Sequence, residues 1–188
     1  MDFFKEEQEN NDMKKQKQII NKLLKKPENK YCADCKNAPP TWASINLGVL
    51  ICMNCSGCHR ELGAHISKIK SINLDLWPLD VLENFKKIDN KIANDYWEYN
   101  LNLKEIDLNK ITKNRDEIMK FIRNKYEFKK WINVNDIDPM QKIKQNININ
   151  NNNINNNNEK YQFNWNYFNT NKNNTNNNNN NGNNKKYK

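Results

Sequence analysis

The stretch Ile51-Cys52-Met53-Asn54-Cys55-Ser56-Gly57-Cys58-His59-Arg60-Glu61-Leu62-Gly63 decides the fold. Upstream stands Cys32-Ala33-Asp34-Cys35, so the two cysteine pairs read C-x2-C-x16-C-x2-C. Tetrahedral zinc takes four deprotonated soft ligands, and two such knuckles supply them through tight turns. Cys32, Cys35, Cys52 and Cys55 are therefore the expected ligands of one Zn2+. Four thiolates leave no open coordination position, so the metal is structural and not catalytic. Cys55-Ser56-Gly57-Cys58-His59 also spells C-x-x-C-H, the attachment pattern of c-type haem. Haem would leave Cys32, Cys35 and Cys52 without a role. Cys58 reads instead as a small buried apolar residue, and His59 and His65 as hydrogen-bonded structural histidines.

Around this centre the pattern is α+β. "TWAS" (residues 41–44) and "GVLI" (residues 48–51) form a hairpin that leads into a helix from Cys52 or Met53 to Gly63. "KIKSINL" alternates like a short strand, and Pro78 suits the first turn of a helix through "LDVLENFKKI". "NKIANDYWEYN" and "RDEIMKFIRNKYEFKKWI" predict two more helices, the last with an apolar stripe of Ile118, Phe121, Ile122, Tyr126 and Phe128. Before the cysteines, Ile19, Ile20, Leu23 and Leu24 recur at helical spacing, with Asp12 as N-cap and Pro27 as stop. The expected architecture is a small zinc-stabilised hairpin or short sheet surrounded by helices.

Composition sets the boundaries. Residues 1–12 read as a flexible N-terminus, 13–134 as the zinc-bearing domain and 135–188 as an Asn-rich low-complexity tail. Asparagine is a poor helix former, and the tail carries too little apolar surface to offset ordering, so disorder is expected there. One aromatic island, "YQFNWNYF" (residues 161–168), interrupts it. The formal charge of +9 is spread along the chain, which gives no nucleic-acid footprint. No stretch reaches the roughly 20 apolar residues of a spanning helix, and the charged start is not a secretory signal. A cytoplasmic monomer is the expectation. The N-terminal helix and the aromatic island are the candidates for peripheral membrane contact.

Arg60 leaves a helix anchored by metal, which is how a rigid base presents a long cation. A surface pair with Glu61 or Asp75 is the alternative that spacing leaves open. A resemblance narrows this. Pro40-Thr41-Trp42-Ala43-Ser44, Asn46-Leu47-Gly48, Cys52-x2-Cys55-Ser56-Gly57-x-His59-Arg60-x-Leu62-Gly63-x-His65-Ile66-Ser67, Ser71 and Leu74-Asp75-x-Trp77 occur in order. The string resembles the Arf GTPase-activating domain, and "FIRNKYEFKKW" (residues 121–131) is similar to that family's closing helix.

The resemblance implies that Arg60 is an arginine finger, inserted in trans to speed GTP hydrolysis by an Arf-family GTPase in its GTP form. It implies that water, magnesium and nucleotide all belong to the GTPase. The chain has no G-x-x-x-x-G-K-[ST] of its own. Trp42 would buttress the arginine or simply fill core, and Ile66, Lys70, Leu74 and Asp75 would make or support the GTPase-facing surface. Two departures stand out: an aliphatic residue is usual at Cys58, and arginine at Lys70. By the same resemblance the protein regulates vesicle trafficking, at Golgi or endosomal membranes. Two other classes compete, a GATA-like nucleic-acid finger and a non-catalytic trafficking adaptor.

Overall fold

The structure, a computed structural model, describes residues 3–102, 112 and 114–154. The aromatic island lies outside them. Helix α1 spans Phe3–Leu24. It starts well before Asp12, so Asp12 sits inside the helix and does not cap it. Residues 3–12 contain no proline or glycine to stop a helix there. The buried face of α1 carries Gln16, Ile19, Ile20 and Leu23. A 3-10 turn at Pro27–Asn29 follows, and Asn29 Nδ2 donates to Leu23 O at 2.9 Å, closing the end of α1.

Strands β1 (Trp42–Ser44) and β2 (Val49–Ile51) form the expected hairpin. Its turn needs Gly48, which has φ 72° and lies so close to Ile88 and Met140 that a Cβ would clash. β3 (Ile69–Ser71) pairs antiparallel on the other side of β1, giving the order β2-β1-β3. Trp42 therefore stands between Ile51 and Ser71. The outer edge of β2 is not left open. Asn90 Oδ1 accepts from Leu50 N at 2.8 Å, and Asn90 Nδ2 donates to Leu50 O at 2.9 Å.

Helix α2 (Met53–Glu61) leaves β2 through Cys52 and stops at Gly63, whose φ is 87°. α3 (Leu79–Phe85) follows Pro78. α4 (Asn90–Trp97) is capped by Asp89, which accepts from Ile92 N. α5 (Arg115–Ile122) is capped by Asn114 and runs into a π-turn at Arg123–Glu127. That turn inserts an extra residue into the helical phase. The expected stripe accordingly ends at Tyr126, and Phe128 is 65% exposed. Residues 129–132 do not continue the helix, and Lys129 has φ 50°. The core gathers Trp77, Leu82, Phe85, Ile88, Trp97, Ile122 and Tyr126.

Packing continues past residue 134, where the low-complexity tail was expected to start. Helix α6 (Pro139–Ile154) begins after Asp138, whose carboxylate accepts from Met140 N and Gln141 N. Met140 is buried against Gly48. The chain divides after Asn150, and all packing described lies within the first unit. Among the described residues, no helix is long and apolar enough to cross a membrane.

Candidate functional site

The site is built on the two knuckles. Cys32 receives a hydrogen bond at its sulfur from Asp34 N, and Lys36 N closes the turn on Cys32 O at 3.1 Å. Lys36 takes φ 56° to make that turn. Cys52 follows β2 and stands at the N-cap position of α2, and Cys55 lies in the first turn of the helix. The four sulfurs all lie within 4.8 Å of one another, and all four residues are buried. Tetrahedral zinc with Zn–S near 2.3 Å puts its sulfurs about 3.8 Å apart. Cys35 Sγ and Cys52 Sγ are 3.7 Å apart. The donor set fits one structural Zn2+. Cys58 is buried but outside the cluster, as expected of an apolar residue. The crowded sulfurs compete for protons. Burial first, then Cys35 and Cys52, push Cys32 up, while Cys32 chiefly pulls Cys52 down to about 7. A divalent cation takes the place of those protons.

Behind the first knuckle lies a buried polar network. His59 is fully buried. Its Nε2 stands 3.0 Å from Asp34 Oδ2, and its Nδ1 stands 2.8 Å from Ser67 Oγ. Ser67 Oγ in turn meets Ser44 Oγ at 2.8 Å. Asp34 Oδ1 accepts from Lys125 Nζ at 3.0 Å and from Tyr126 OH at 2.8 Å. Burial pushes the Asp34 carboxyl up, but the Lys125 charge and the His59 hydrogen bond outweigh it and hold it below the carboxylate range. An ionised Asp34 can only accept, so His59 Nε2 carries a proton. Lys125 is also fully buried and donates to Glu98 Oε1, Asn94 Oδ1 and Ala33 O. Burial alone would lower its pKa. Glu98 and Asp34 reverse that and raise it.

Arg60 is exposed on the last turn of α2. Its guanidinium carbon lies 4.3 Å from the centre of the Trp42 ring, and Nη1 donates to Ser56 Oγ at 3.3 Å. The alternative ion pairs are not formed. Glu61 pairs with Arg115, and Asp75 accepts from Ser71 N at 2.6 Å. Among the described residues, no carboxylate stands at ion-pair distance from Arg60. The guanidinium thus rests on an aromatic face with its charge uncompensated by any described carboxylate.

The remaining surface residues lie on β3 and in the segments at either end of it, and Lys70 pairs with Ala43 beside the Trp42–Ser71 pair. Lys70 is half-buried on β3, and Ile66 packs against the core. Ser71 Oγ accepts from Asn73 N and Leu74 N, which turns the chain so that Leu74 is 85% exposed. The loop is pinned by Gln16, which donates to Asp75 O and accepts from Trp77 N, both at 2.7 Å. His65 is exposed.

Residues 17–135, more than half the chain, match the family ArfGap, described as "Putative GTPase activating protein for Arf". The chain belongs to the ArfGap family. An ADP-ribosylation factor GTPase-activating protein effector protein 2 of Saccharomyces cerevisiae is 47% identical over 62% of this chain and 39% of its own length. Stromal membrane-associated protein 1 of Homo sapiens is 43% identical over 63% of this chain and 25% of its own. The chain thus spans well under half the length of these two curated relatives. The solved ArfGap domain of HIV-1 Rev binding protein shares the fold, with a TM-score of 0.60 over 72% of this chain and 97% of that one at 22% identity.

Sequence reasoning did not find Asp34, Lys125, Tyr126 and Gln16 as parts of the site. Asp34 had a signal, since it lies inside a knuckle. Lys125 had none, because a lysine on an amphipathic helix ordinarily faces water.

Proposed function

We propose that this ArfGap chain accelerates GTP hydrolysis by an Arf-family GTPase, with Arg60 entering the GTPase site as a finger in trans. One observation carries the proposal: an exposed guanidinium, with no carboxylate of the described residues at ion-pair distance, is presented from a short helix anchored on a four-cysteine site. Phosphoryl transfer gathers charge on the equatorial oxygens of the transferring group. A planar guanidinium bridges two of those oxygens, which an ammonium does not do. Such a finger supplies about 10³ to 10⁵ in rate in GTPase systems, or roughly 4–7 kcal/mol of barrier.

The resting arrangement suits this role. Contact with Trp42 holds the arginine at about 0.5–1 kcal/mol, typical of an exposed cation–π pair. That is small against the charge it meets in the transition state. Withdrawal from Trp42 therefore costs little, and no ion pair with a described residue must be broken. Leu74, with its exposed apolar side chain, and Ile66 and Lys70 are the residues that would meet the GTP-bound partner. Zinc holds the base of α2 and touches no substrate. The GTPase supplies nucleotide, magnesium and water. The same proposal puts a monomer in the cytoplasm, meeting Arf at Golgi or endosomal membranes and so regulating vesicle trafficking.

The test is GTP hydrolysis by a loaded Arf protein with and without this chain. Stimulation of hydrolysis supports the proposal. Tight binding to the loaded protein without stimulation supports a non-catalytic adaptor instead.

A further inference from the structure

Cys52 and Cys55 hold only the N-terminal turn of α2. Arg60 leaves the helix five residues after Cys55, about 7.5 Å further along the axis. Something must fix that end, because a displacement of about 1 Å at a reacting centre can cost about 100-fold in rate. Besides the apolar packing of buried Cys58 and Leu62, which is not directional, three polar contacts stand there among the described residues. The Trp42 face and Ser56 Oγ touch Arg60 itself, but both are weak and Arg60 is exposed. The Arg115–Glu61 pair ties α2 to α5, yet both side chains are more than half exposed, so it contributes little. The third is His59.

His59 lies one turn beyond Cys55 on the same buried face of α2. Its ring is gripped at both nitrogens, by Asp34 of the first knuckle and by Ser67 after the helix. Its ring centre lies 4.9 Å from that of Tyr126, with the two planes tilted by 49°. We infer that His59 is a positioning residue for Arg60: the Asp34–His59–Ser67 bridge sets the rotation of α2 about its axis, and so the direction in which the next residue leaves it. The two clamps act at different places. The cysteines fix where α2 begins. The imidazole fixes how its last turn is oriented, because a ring held at two edges by elements outside the helix resists rotation.

Asp34 links the clamps. It lies between two metal ligands and is itself held by Lys125 and Tyr126 of the π-turn. Ser67 is held by Ser44 of β1, the strand that also carries Trp42. The orientation of α2 is thus referred to the same sheet that supports the resting arginine.

The inference rests on Arg60 as the finger, and the experiment separates the two. His59→Gln keeps one hydrogen-bonding end of the ring, and Ser67→Ala removes the other partner with almost no change of volume. Both are made in the full chain. Each is tested for stimulated GTP hydrolysis under single-turnover conditions, with kcat and KM for the GTP-loaded Arf protein resolved. The NMR shifts of the Arg60 side chain, set by the ring current of Trp42 at 4.3 Å, report its position without any GTPase present. The expected result is a kcat lowered about tenfold or more, a KM within about twofold of wild type, and loss of the Trp42-induced shift, with zinc retained. Ser67→Thr, which keeps the hydroxyl, restores both kcat and the shift. Zinc-bearing variants with wild-type kcat and wild-type Arg60 shifts overturn the inference, as does a raised KM at unchanged kcat. If His59→Gln loses zinc, Ser67→Ala decides alone by the same criteria. Failure of Arg60→Ala to lower stimulation removes the finger, while the shift measurement still decides whether His59 orients α2.

Discussion

Replacing Lys125 with methionine tests the buried network. The substitution keeps length and apolar volume and removes only the ammonium. Lys125 is wholly buried and faces Asp34, Glu98, Asn94 and the Ala33 carbonyl. Its loss leaves Asp34 ionised in the interior, with only His59 and Tyr126 as partners. Removing one member of a buried pair costs about 3–5 kcal/mol. Glu98 reaches solvent and retains Lys36 at 3.3 Å, so it relaxes cheaply. The lower end of the range, about 3 kcal/mol, is therefore expected. That is roughly a hundredfold in the folding constant and a melting temperature lower by about 10 °C for a domain of this size. Urea unfolding followed by tryptophan fluorescence measures it, with an unchanged m-value as the sign that unfolding remains two-state. The sign with pH is also fixed. The folded pKa of Lys125 is raised above 10.5, so its contribution is fully present below 10.5 and is lost only as pH rises through the higher folded value. The gap between wild type and Lys125→Met should stay constant from about pH 7 to 9. A loss below about 1 kcal/mol, or a gap that already closes within that range, would refute the buried pair.

Metal analysis should find about one zinc per chain, and a chelator should unfold the domain. Cys32→Ser should lose zinc and fold together, while Cys58→Ser should keep the metal, since Cys58 lies outside the sulfur cluster; circular dichroism with a zinc assay separates them. Truncation after Val134 removes Met140 and should lower stability by about 2 kcal/mol or more, whereas truncation after Asn146 should not; thermal melts of the two shortened chains read the difference. Gly48→Ala adds both a strained φ and a Cβ 2.6 Å from Ile88 Cδ1, and should destabilise by more than the roughly 1 kcal/mol of an ordinary glycine replacement.

The zinc site was legible in the sequence because metal chemistry dictates ligand type and spacing together. The hairpin and the start of α2 were legible because they follow from that site. The placement of β3 beside β1 was not, since a three-residue strand carries too little pattern to specify its neighbour. Long-range polar contacts were also hidden. Gln16 binds backbone groups about sixty residues away, and Asn90 seals the edge of β2 from forty. Neither leaves a local periodicity. The π-turn at Arg123–Glu127 broke the helical phase that the apolar stripe relied on, which is why Phe128 was misplaced and buried Lys125 escaped notice. At the other end, asparagine content hid α6, because among the described residues little more than Met140 and partly buried Ile143 anchors it to the core.

The central claim is that Arg60 acts on charge that appears only during hydrolysis. Single-turnover GTP hydrolysis by a loaded Arf protein, comparing wild type with Arg60→Lys, addresses it directly. The lysine keeps the positive charge and loses the planar fork, so stimulation should fall by about 10³-fold or more. Zinc content, melting temperature and affinity for the GTP-loaded partner should stay close to wild type, because Arg60 is exposed and, among the described residues, meets no carboxylate at ion-pair distance. Near-normal stimulation by Arg60→Lys, or a collapse of the fold on making it, would contradict the account.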